Sequence, residues 1–331
     1  MGKRGWTTLF SAMGMLLLIL DGRTALAGAR EGVQMCLYTV IPALFPFFVL
    51  SGILTASLTG ARFTVLGALG RFCRIPPGAE GVFLIGLLGG YPSGARSVHQ
   101  LWQEKQLSNL QAKRMLGFCS NAGPSFLFGI CGSLFPSPLV GWLLWLIHIV
   151  SSLFAALVLP EVDENDPVRL TEKGVSMVQA LKNALGAIAS VCGWIIVFRI
   201  LLAFLDKWVF ATKSGLLRLA FTGILELTNG CLWLANLENT GLRLLLCGVF
   251  LAFGGLCVLL QTMSVTGNLG LGLYLPGKLL QTLMSGFLCL VAQCFLLPAA
   301  DRAPHCPLLL LIFGGIMAVV TIFFRKKTKF Q

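Results

Sequence analysis

The sequence has 331 residues, of which 56% are hydrophobic and only 11% charged, and its mean hydropathy is +0.85. Soluble globular domains carry about 25% charged residues, so this composition excludes a soluble fold for most of the chain and indicates a membrane protein in contact with the lipid bilayer. The net charge of +12 comes from Lys and Arg residues scattered between apolar segments. Without a continuous basic face, we expect no nucleic-acid partner.

Eight apolar segments are long enough to cross a bilayer, for which about 20 residues are needed. They are residues 6–27, 34–58, 115–135, 139–159, 185–205, 242–263, 271–297 and 307–324. Two shorter apolar stretches, 81–91 and 216–225, end in glycine-rich or polar sequence, which is typical of re-entrant segments. The first long segment also fits a cleaved signal peptide, because small residues follow it at 24–29, and we favour an uncleaved helix.

Basic clusters predict the orientation of these segments. Lys and Arg residues are concentrated at the start of the chain and at 62–74, 96–114 and 325–329. The positive-inside rule places such clusters in the cytoplasm. This arrangement fits a multi-pass protein of the cell membrane with both termini cytoplasmic.

The two halves of the chain have a similar order of segments, on either side of a polar linker. Each contains a span, a short glycine-broken segment, a longer broken span and a closing span. The short segments would enter from opposite sides, as in transporters built from inverted repeats. We therefore predict an all-α polytopic membrane protein with about eight transmembrane helices and two re-entrant hairpins in inverted repeats. The predicted units are an N-terminal helix (1–30), a first repeat (31–160), a cytoplasmic linker (161–184), a second repeat (185–300) and a C-terminal helix with a basic tail (301–331).

The first candidate substrate-binding segment is GLLGGYPSGARS at 86–97. Its glycines and Pro92 prevent a regular helix, while Tyr91 and Ser93 bring hydroxyl groups to the break beside Gly94. Backbone groups freed inside a bilayer need partners, so such a break is expected where it is buried in protein or lines a wet cavity. A cytoplasmic turn is the alternative. We favour a re-entrant segment, because apolar sequence leads directly into the motif.

A second broken element is predicted downstream. A capping box of the Ser-x-x-Gln form predicts a helix that starts at Asn109. Gly123 and Pro124 are expected to break this helix and to leave carbonyl groups unpaired near Ser120 and Asn121. Two interpretations stay open: the break forms half of a polar pocket opposite the first motif, or it is a proline kink packed without a ligand.

In the second half, Glu226 stands beside Thr228 and Asn229 in a short apolar stretch. An acidic residue at membrane depth costs roughly 2.5 kcal/mol or more, so it usually faces a cavity, a partner or an ion. We predict ion or proton coupling at Glu226, with Thr228, Asn229 and the later Gln261 in the substrate-binding set. A shallow position of Glu226 at the membrane interface is the alternative.

Other polar residues of the apolar segments have weaker signals. Arg199 is open to three interpretations, namely contact with an anionic solute, pairing with Glu226, or extension to the outer surface from a helix end, which we favour. His148 has no acidic or histidine neighbour in sequence and is expected to be packed or hydrogen bonded rather than a ligand or base. Asn268 and Lys278 are expected at the membrane interface.

Catalytic and metal-binding motifs are not apparent. The eleven cysteines are isolated, without a Cys-x-x-Cys pair, and only three histidines are present. We therefore predict no metal site and no cofactor, and expect most cysteines to be apolar packing residues. No Ser/His/Asp set or paired carboxylates can be assembled, so we do not expect an enzyme.

Three segments resemble the YlbJ family of sporulation integral membrane proteins. They are IPALFPFFVLSGIL at 41–54, RIPPGAEGVFLIGLLGGYPSGA at 74–95 and FCSNAGPSFLFGICG at 118–132. The resemblance covers residues 31–159 strongly and the second half more loosely. The family carries the nucleoside-recognition, or Gate, domain, which also occurs in spore maturation proteins and in the membrane part of ferrous iron transport protein B.

This resemblance implies a transporter-like helical fold with re-entrant hairpins, similar to concentrative nucleoside transporters, and a role in endospore formation, particularly in the spore cortex. The residues that match the family's hairpin and broken helix are Tyr91, Pro92, Gly94, Ala95, Asn121 and Pro124. The motifs do not identify a nucleoside as the solute.

Two functional hypotheses follow. The first is a membrane protein that moves or gates a small polar solute, as yet unidentified, in a sporulating cell. The second is a non-transporting membrane scaffold for assembly of the spore cortex or coat. A homo-oligomer is compatible with either hypothesis.

Overall fold

The computed structural model describes residues 3–58, 64–162, 176–210 and 215–327. Throughout these ranges the regular structure is helical, with no β-strand. The α-helices in chain order are α1 (Lys3–Leu20), α2 (Gly22–Met35), α3 (Ile41–Leu58), α4 (Thr64–Phe72), α5 (Glu80–Gly89), α6 (Ser93–Gln103), α7 (Asn109–Cys119), α8 (Pro124–Phe126), α9 (Leu139–Val158), α10 (Met177–Trp208), α11 (Gly215–Leu225), α12 (Leu227–Trp233), α13 (Thr240–Phe253), α14 (Gly255–Thr266), α15 (Tyr274–Leu296) and α16 (Cys306–Lys327). Arg62, most of the predicted linker and the end of the basic tail lie outside the described residues.

Six helical stretches in the described part of the chain are long and apolar enough to cross a membrane. Their outer surfaces expose large apolar side chains, as on α16, where Leu311 is 75% and Val319 is 68% exposed. Surfaces of this kind match lipid rather than water, so the protein is a multi-pass integral membrane protein. The six stretches are Gly22–Leu50, Leu139–Val158, Met177–Trp208, Thr240–Leu269, Tyr274–Leu296 and Cys306–Phe324.

The first crossing segment differs from the prediction. The predicted span 6–27 is interrupted at Asp21, where α1 gives way to α2. Asp21 Oδ1 accepts a hydrogen bond from the Thr24 amide at 3.4 Å, and Asp21 Oδ2 accepts one from Lys207 Nζ at 2.5 Å. Because an aspartate in this position caps the next helix, the crossing segment begins at Gly22. It continues into α3 through a π-helical turn, Cys36–Val40.

Two predicted spans are broken in the middle. The break at Gly123 and Pro124 is confirmed, as is the helix start at Asn109, which Ser108 caps in a capping box. Residues 242–263 are also interrupted, because Gly254 has φ +81° between α13 and α14, a conformation that favours glycine. Helix α10 begins at Met177, within the predicted linker 161–184.

Antiparallel packing of α2 and α10 defines two ends of the helix bundle. One end, here the Lys207 end, contains the Lys207–Asp21 pair and the ion pair of Arg218 with Asp206 at 2.7 Å. At the opposite end, here the Arg114 end, the buried guanidinium of Arg114 donates to four backbone carbonyls. These are the carbonyls of Cys73, Arg74, Ala156 and Pro160, at 3.1, 2.8, 2.7 and 2.8 Å.

Two pairs of short helices form hairpins. In the first, α5 and α6 are joined by a turn at Gly90 and pack on α7. Gly86 and Gly94 allow this packing, because a β-carbon at either position would collide with the carbonyl oxygen of Cys119. In the second hairpin, α11 and α12 are joined at Glu226 and pack on each other.

Candidate functional site

The turns of the two hairpins line one buried cavity of about 50 Å³. The break between α7 and α8, the first turns of α14 and apolar residues of α3 and α10 complete its wall. Such a volume has room for a few water molecules or a small ion, and is far below the roughly 300 Å³ of a drug-sized pocket. The glycines and the residues with polar side chains in the lining are Gly90, Tyr91, Gly123, Ser125, Glu226, Thr228 and Gln261.

Among the described residues, Glu226 is the only acidic one in this wall, and it is 2% exposed. Its Oε1 accepts a hydrogen bond from the Thr228 amide at 3.0 Å, while its Oε2 accepts from the amide and side-chain nitrogens of Asn229 at 2.6 and 2.7 Å. Three donors around two oxygens match a carboxylate, which only accepts hydrogen bonds. Glu226 therefore caps α12 from inside the protein, and its position at membrane depth stays a prediction.

Behind Tyr91 lies a buried network centred on Lys278. Lys278 Nζ donates to Tyr91 Oη at 3.0 Å, to Gln281 Oε1 at 2.8 Å and to the carbonyl oxygen of Ser120. Tyr91 Oη in turn donates to the carbonyl of Leu251 at 2.9 Å. Lys278 is fully buried, since these acceptors satisfy all three ammonium hydrogens, and it does not extend to the protein surface as was expected of an interfacial lysine.

The same network closes around the broken helix. Gln281 Nε2 donates to Asn121 Oδ1 at 2.9 Å, and Asn121 Nδ2 donates to the Phe118 carbonyl at 2.8 Å. The Ala122 amide donates to His148 Nε2 at 3.0 Å, so the prediction of a hydrogen-bonded His148 is confirmed. Backbone groups freed by the break thus find side-chain partners on α9 and α15, as burial in a bilayer requires.

The structure brings part of the predicted site together. Five predicted residues line the cavity: Tyr91, Gly123, Glu226, Thr228 and Gln261. The others lie next to it in structural positions. Ser93 Oγ donates to the Gly89 carbonyl at 3.0 Å, Pro92 follows a cis peptide bond, and Pro124 is the first residue of α8. The remaining predicted residues outside the cavity wall are Gly94, Ser120, Asn121 and Asn229.

A second cavity, here called the vestibule, has a volume of about 260 Å³ and lies at the Lys207 end. Ion pairs line it: Arg199 contacts Glu31 and, at 3.7 Å, Asp206, while Arg218 contacts Asp206. Arg199 therefore pairs with two carboxylates, an arrangement that none of the three interpretations named, and its extension to the outer surface stays a prediction. The alternative pairing with Glu226 is not formed.

Asn229 connects the two cavities. Asn229 lines the vestibule, and its Nδ2 donates to Oε2 of Glu226, which lines the buried cavity. One hydrogen bond therefore joins a residue of the vestibule to the Glu226 carboxylate. The Glu226 carboxylate is thus connected, through Asn229, to the vestibule at the Lys207 end of the bundle.

Sequence comparison finds one curated relative, sporulation integral membrane protein YlbJ of Bacillus subtilis (strain 168), with 29% identity over 175 residues. The chain is similar to this sporulation membrane protein. The match confirms the resemblance predicted from the motifs. The aligned region covers 52% of this chain and 43% of YlbJ, less than half of that relative's length. No family model matches the sequence, and no solved structure matches the fold.

Sequence reasoning missed the role of Lys278. A lysine one helical turn before Gln281, in an otherwise apolar helix, was the available signal, because side chains three residues apart share a helix face. The name of the relative YlbJ refers to sporulation and to no solute, so the similarity does not say what the cavity would bind.

Proposed function

We propose that the protein is a YlbJ-like transporter of endospore formation, of the nucleoside-recognition or Gate type, that moves or gates a small polar solute. The observation that supports this proposal is the buried cavity between two hairpin turns, with the carboxylate of Glu226 in its wall. Intramembrane acidic groups of this kind face solutes, coupling ions or protons.

Hairpin geometry supports an inverted repeat. The α6–α7 connection lies at the Arg114 end, where the Leu273 amide donates to the Lys113 carbonyl at 2.9 Å. In the second hairpin, Arg218 of α11 and Trp233 of α12 lie at the vestibule, at the Lys207 end. The two hairpins therefore enter from opposite ends and meet at the cavity, the arrangement in which transporters bind solutes near the membrane midplane.

Charge distribution supports an orientation. The loops at the Arg114 end carry the basic clusters 71–74 and 105–114, whereas the vestibule at the other end contains acidic as well as basic side chains. By the positive-inside rule the Arg114 end is cytoplasmic and the vestibule opens to the other side. α16 starts near the Lys207 end and runs towards the Arg114 end, which agrees with a cytoplasmic C-terminus. The basic residues at the Arg114 end are Arg71, Arg74, Lys105 and Lys113.

In this proposal Glu226 carries the coupling step. A proton or small cation enters through the vestibule, passes Asn229 and neutralises the carboxylate. A neutral Glu226 no longer accepts three hydrogen bonds as strongly, which loosens the start of α12. Movement of one hairpin away from the other then opens the cavity to one side, by a shift between two conformations.

Sporulation of a host with chromosomal deletion of the gene tests the role. Wild-type protein and Glu238→Gln, a change at an exposed carboxylate, are expected to restore heat-resistant spores with normal cortex, whereas Glu226→Gln is not. Normal cortex in the deletion strain would contradict the role in sporulation. Full rescue by Glu226→Gln at equal membrane abundance would contradict the site and favour a scaffold.

A flux assay tests transport directly. Purified protein in proteoliposomes loaded with a pH indicator is expected to admit protons when an inward proton gradient and a panel of spore metabolites are applied together. Glu226→Gln is expected to abolish the solute-dependent part of the signal, and Glu238→Gln to retain it. Equal signals from both variants and from protein-free liposomes would contradict proton coupling.

A further inference from the structure

Three cysteines from separate parts of the chain meet in the protein core. Cys131 ends the π-helical turn after α8, Cys231 lies on α12, and Cys247 lies on α13. Their Sγ atoms all lie within 4.8 Å of one another, and each side chain is completely buried. All three are free thiols. Three sulfur atoms at this separation form a potential tridentate site.

The surroundings of the cluster restrict which ion it can hold. The three thiols belong to the main apolar core, beside Leu234, Leu244 and other aliphatic side chains. Ligand sulfurs bind as thiolates, so a monovalent copper ion with three thiolates would leave two buried negative charges, and zinc would leave one. Burying such a charge is costly, and the nearby carboxylate of Glu226, on the same helix as Cys231, increases the cost.

We propose that Cys131, Cys231 and Cys247 form a binding site for a trivalent metalloid, with arsenous acid as the probe. Three thiolates balance the charge of arsenic(III), so the complex is neutral. Three S–H bonds and three As–O bonds break, three As–S bonds form, and the protons leave with the hydroxide groups as three water molecules. Arsenic keeps its oxidation state, and neither the reactants nor the products carry a net charge.

The vestibule offers a route to the site. Leu232 and Trp233, which follow Cys231 on α12, line the vestibule. Arsenous acid is small and neutral, so it pays no charge-burial penalty on the way from the vestibule to the thiols. Once bound, it would connect α12 to α13 and to the turn after α8, and would restrain the second hairpin.

Retention of arsenic by the purified protein tests the proposal. After incubation with arsenite and desalting, the wild-type chain is expected to keep one arsenic atom, seen in the intact mass as a gain of arsenic and a loss of three hydrogens. Cys131→Ser, Cys231→Ser and Cys247→Ser are each expected to retain at least about tenfold less, because each variant loses one of the three As–S bonds and the effective concentration that the third thiol provides. Cys119→Ser and Cys289→Ser, at buried free thiols outside the cluster, are matched controls and should bind like wild type.

Binding of phenylarsine oxide distinguishes a variant that has lost one thiol from a variant that has not folded. This arsenical has only two exchangeable positions, so each single variant of the cluster, if folded, is expected to bind it through the remaining two thiols. Absence of arsenic from wild type, or equal loss in the two control variants, would overturn the proposal. Retention of copper(I) but not arsenite by wild type would overturn the charge argument on which it depends.

Discussion

The three hydrogen bonds to Glu226 make the turn between α11 and α12 sensitive to Glu226→Gln. The carboxylate accepts from the Thr228 amide on one oxygen and from two nitrogens of Asn229 on the other. Glutamine has one acceptor oxygen and one amino group. When its oxygen faces the two Asn229 donors, its amino group faces the Thr228 amide, and that hydrogen bond is lost.

A hydrogen bond to a charged group contributes about 1.5–3 kcal/mol. Loss of the bond from the Thr228 amide should therefore make local opening easier by this amount, which is about a 10- to 150-fold increase in amide exchange at 1.36 kcal/mol per tenfold. The Asn229 amide keeps a neutral acceptor and should change less. Hydrogen–deuterium exchange, resolved to single amides by fragmentation in the mass spectrometer, measures both.

Glu238→Gln is the control for this experiment, since Glu238 is exposed and follows the same hairpin. It should leave the exchange of Thr228 and Asn229 unchanged. Equal protection of the Thr228 amide in wild type and Glu226→Gln would refute the reasoning that the buried carboxylate holds the turn.

Three further substitutions are expected to lower thermal stability in detergent, measured by tryptophan fluorescence. Arg114→Met removes the donors of four carbonyls and should lower the free energy of unfolding by at least about 3 kcal/mol. Arg96→Met, at an exposed arginine, should lower it little. Equal effects of the two substitutions would count against the buried contacts. Gly86→Ala places a β-carbon against a carbonyl oxygen and should cost about 1–3 kcal/mol, while Gly186→Ala, with open space around it, should be neutral or stabilising. Tyr91→Phe leaves the Leu251 carbonyl without its donor and Lys278 without one of its acceptors, and should cost at least about 1–3 kcal/mol. An unchanged melting temperature would show that the hydroxyl is dispensable.

Local signals made part of this fold predictable. Ser108 and the glycine–proline pair after Ala122 act on the backbone within one helical turn, so the start and the break of the same segment were visible in the sequence. Asp21 is equally local, but a hydropathy window that spans it averages one carboxylate over many apolar neighbours. The boundary between α1 and α2 is indicated by Asp21 as a helix N-cap residue, not by a drop in hydropathy.

Long-range contacts account for what was missed. Lys278 contacts Tyr91, 187 residues away in sequence, and its burial depends on acceptors that appear only when the first hairpin and the broken helix meet α15. The three-cysteine cluster likewise combines residues that are isolated in the chain. No spacing rule captures either arrangement, because spacing rules describe ligands on one local element.

Gly90 and Gly123 contact each other with no side chain on either side: a β-carbon added to Gly90 would lie 3.0 Å from the Gly123 nitrogen. Two bare peptide segments can translate along each other without any rotamer having to change. At this contact the first hairpin and the broken helix are connected by Lys278, which donates to Tyr91 on one side and to the Ser120 carbonyl on the other. An exchange of the hydrogen-bond partners of Lys278 would therefore act on the Gly90–Gly123 contact without any rotamer change at these two positions.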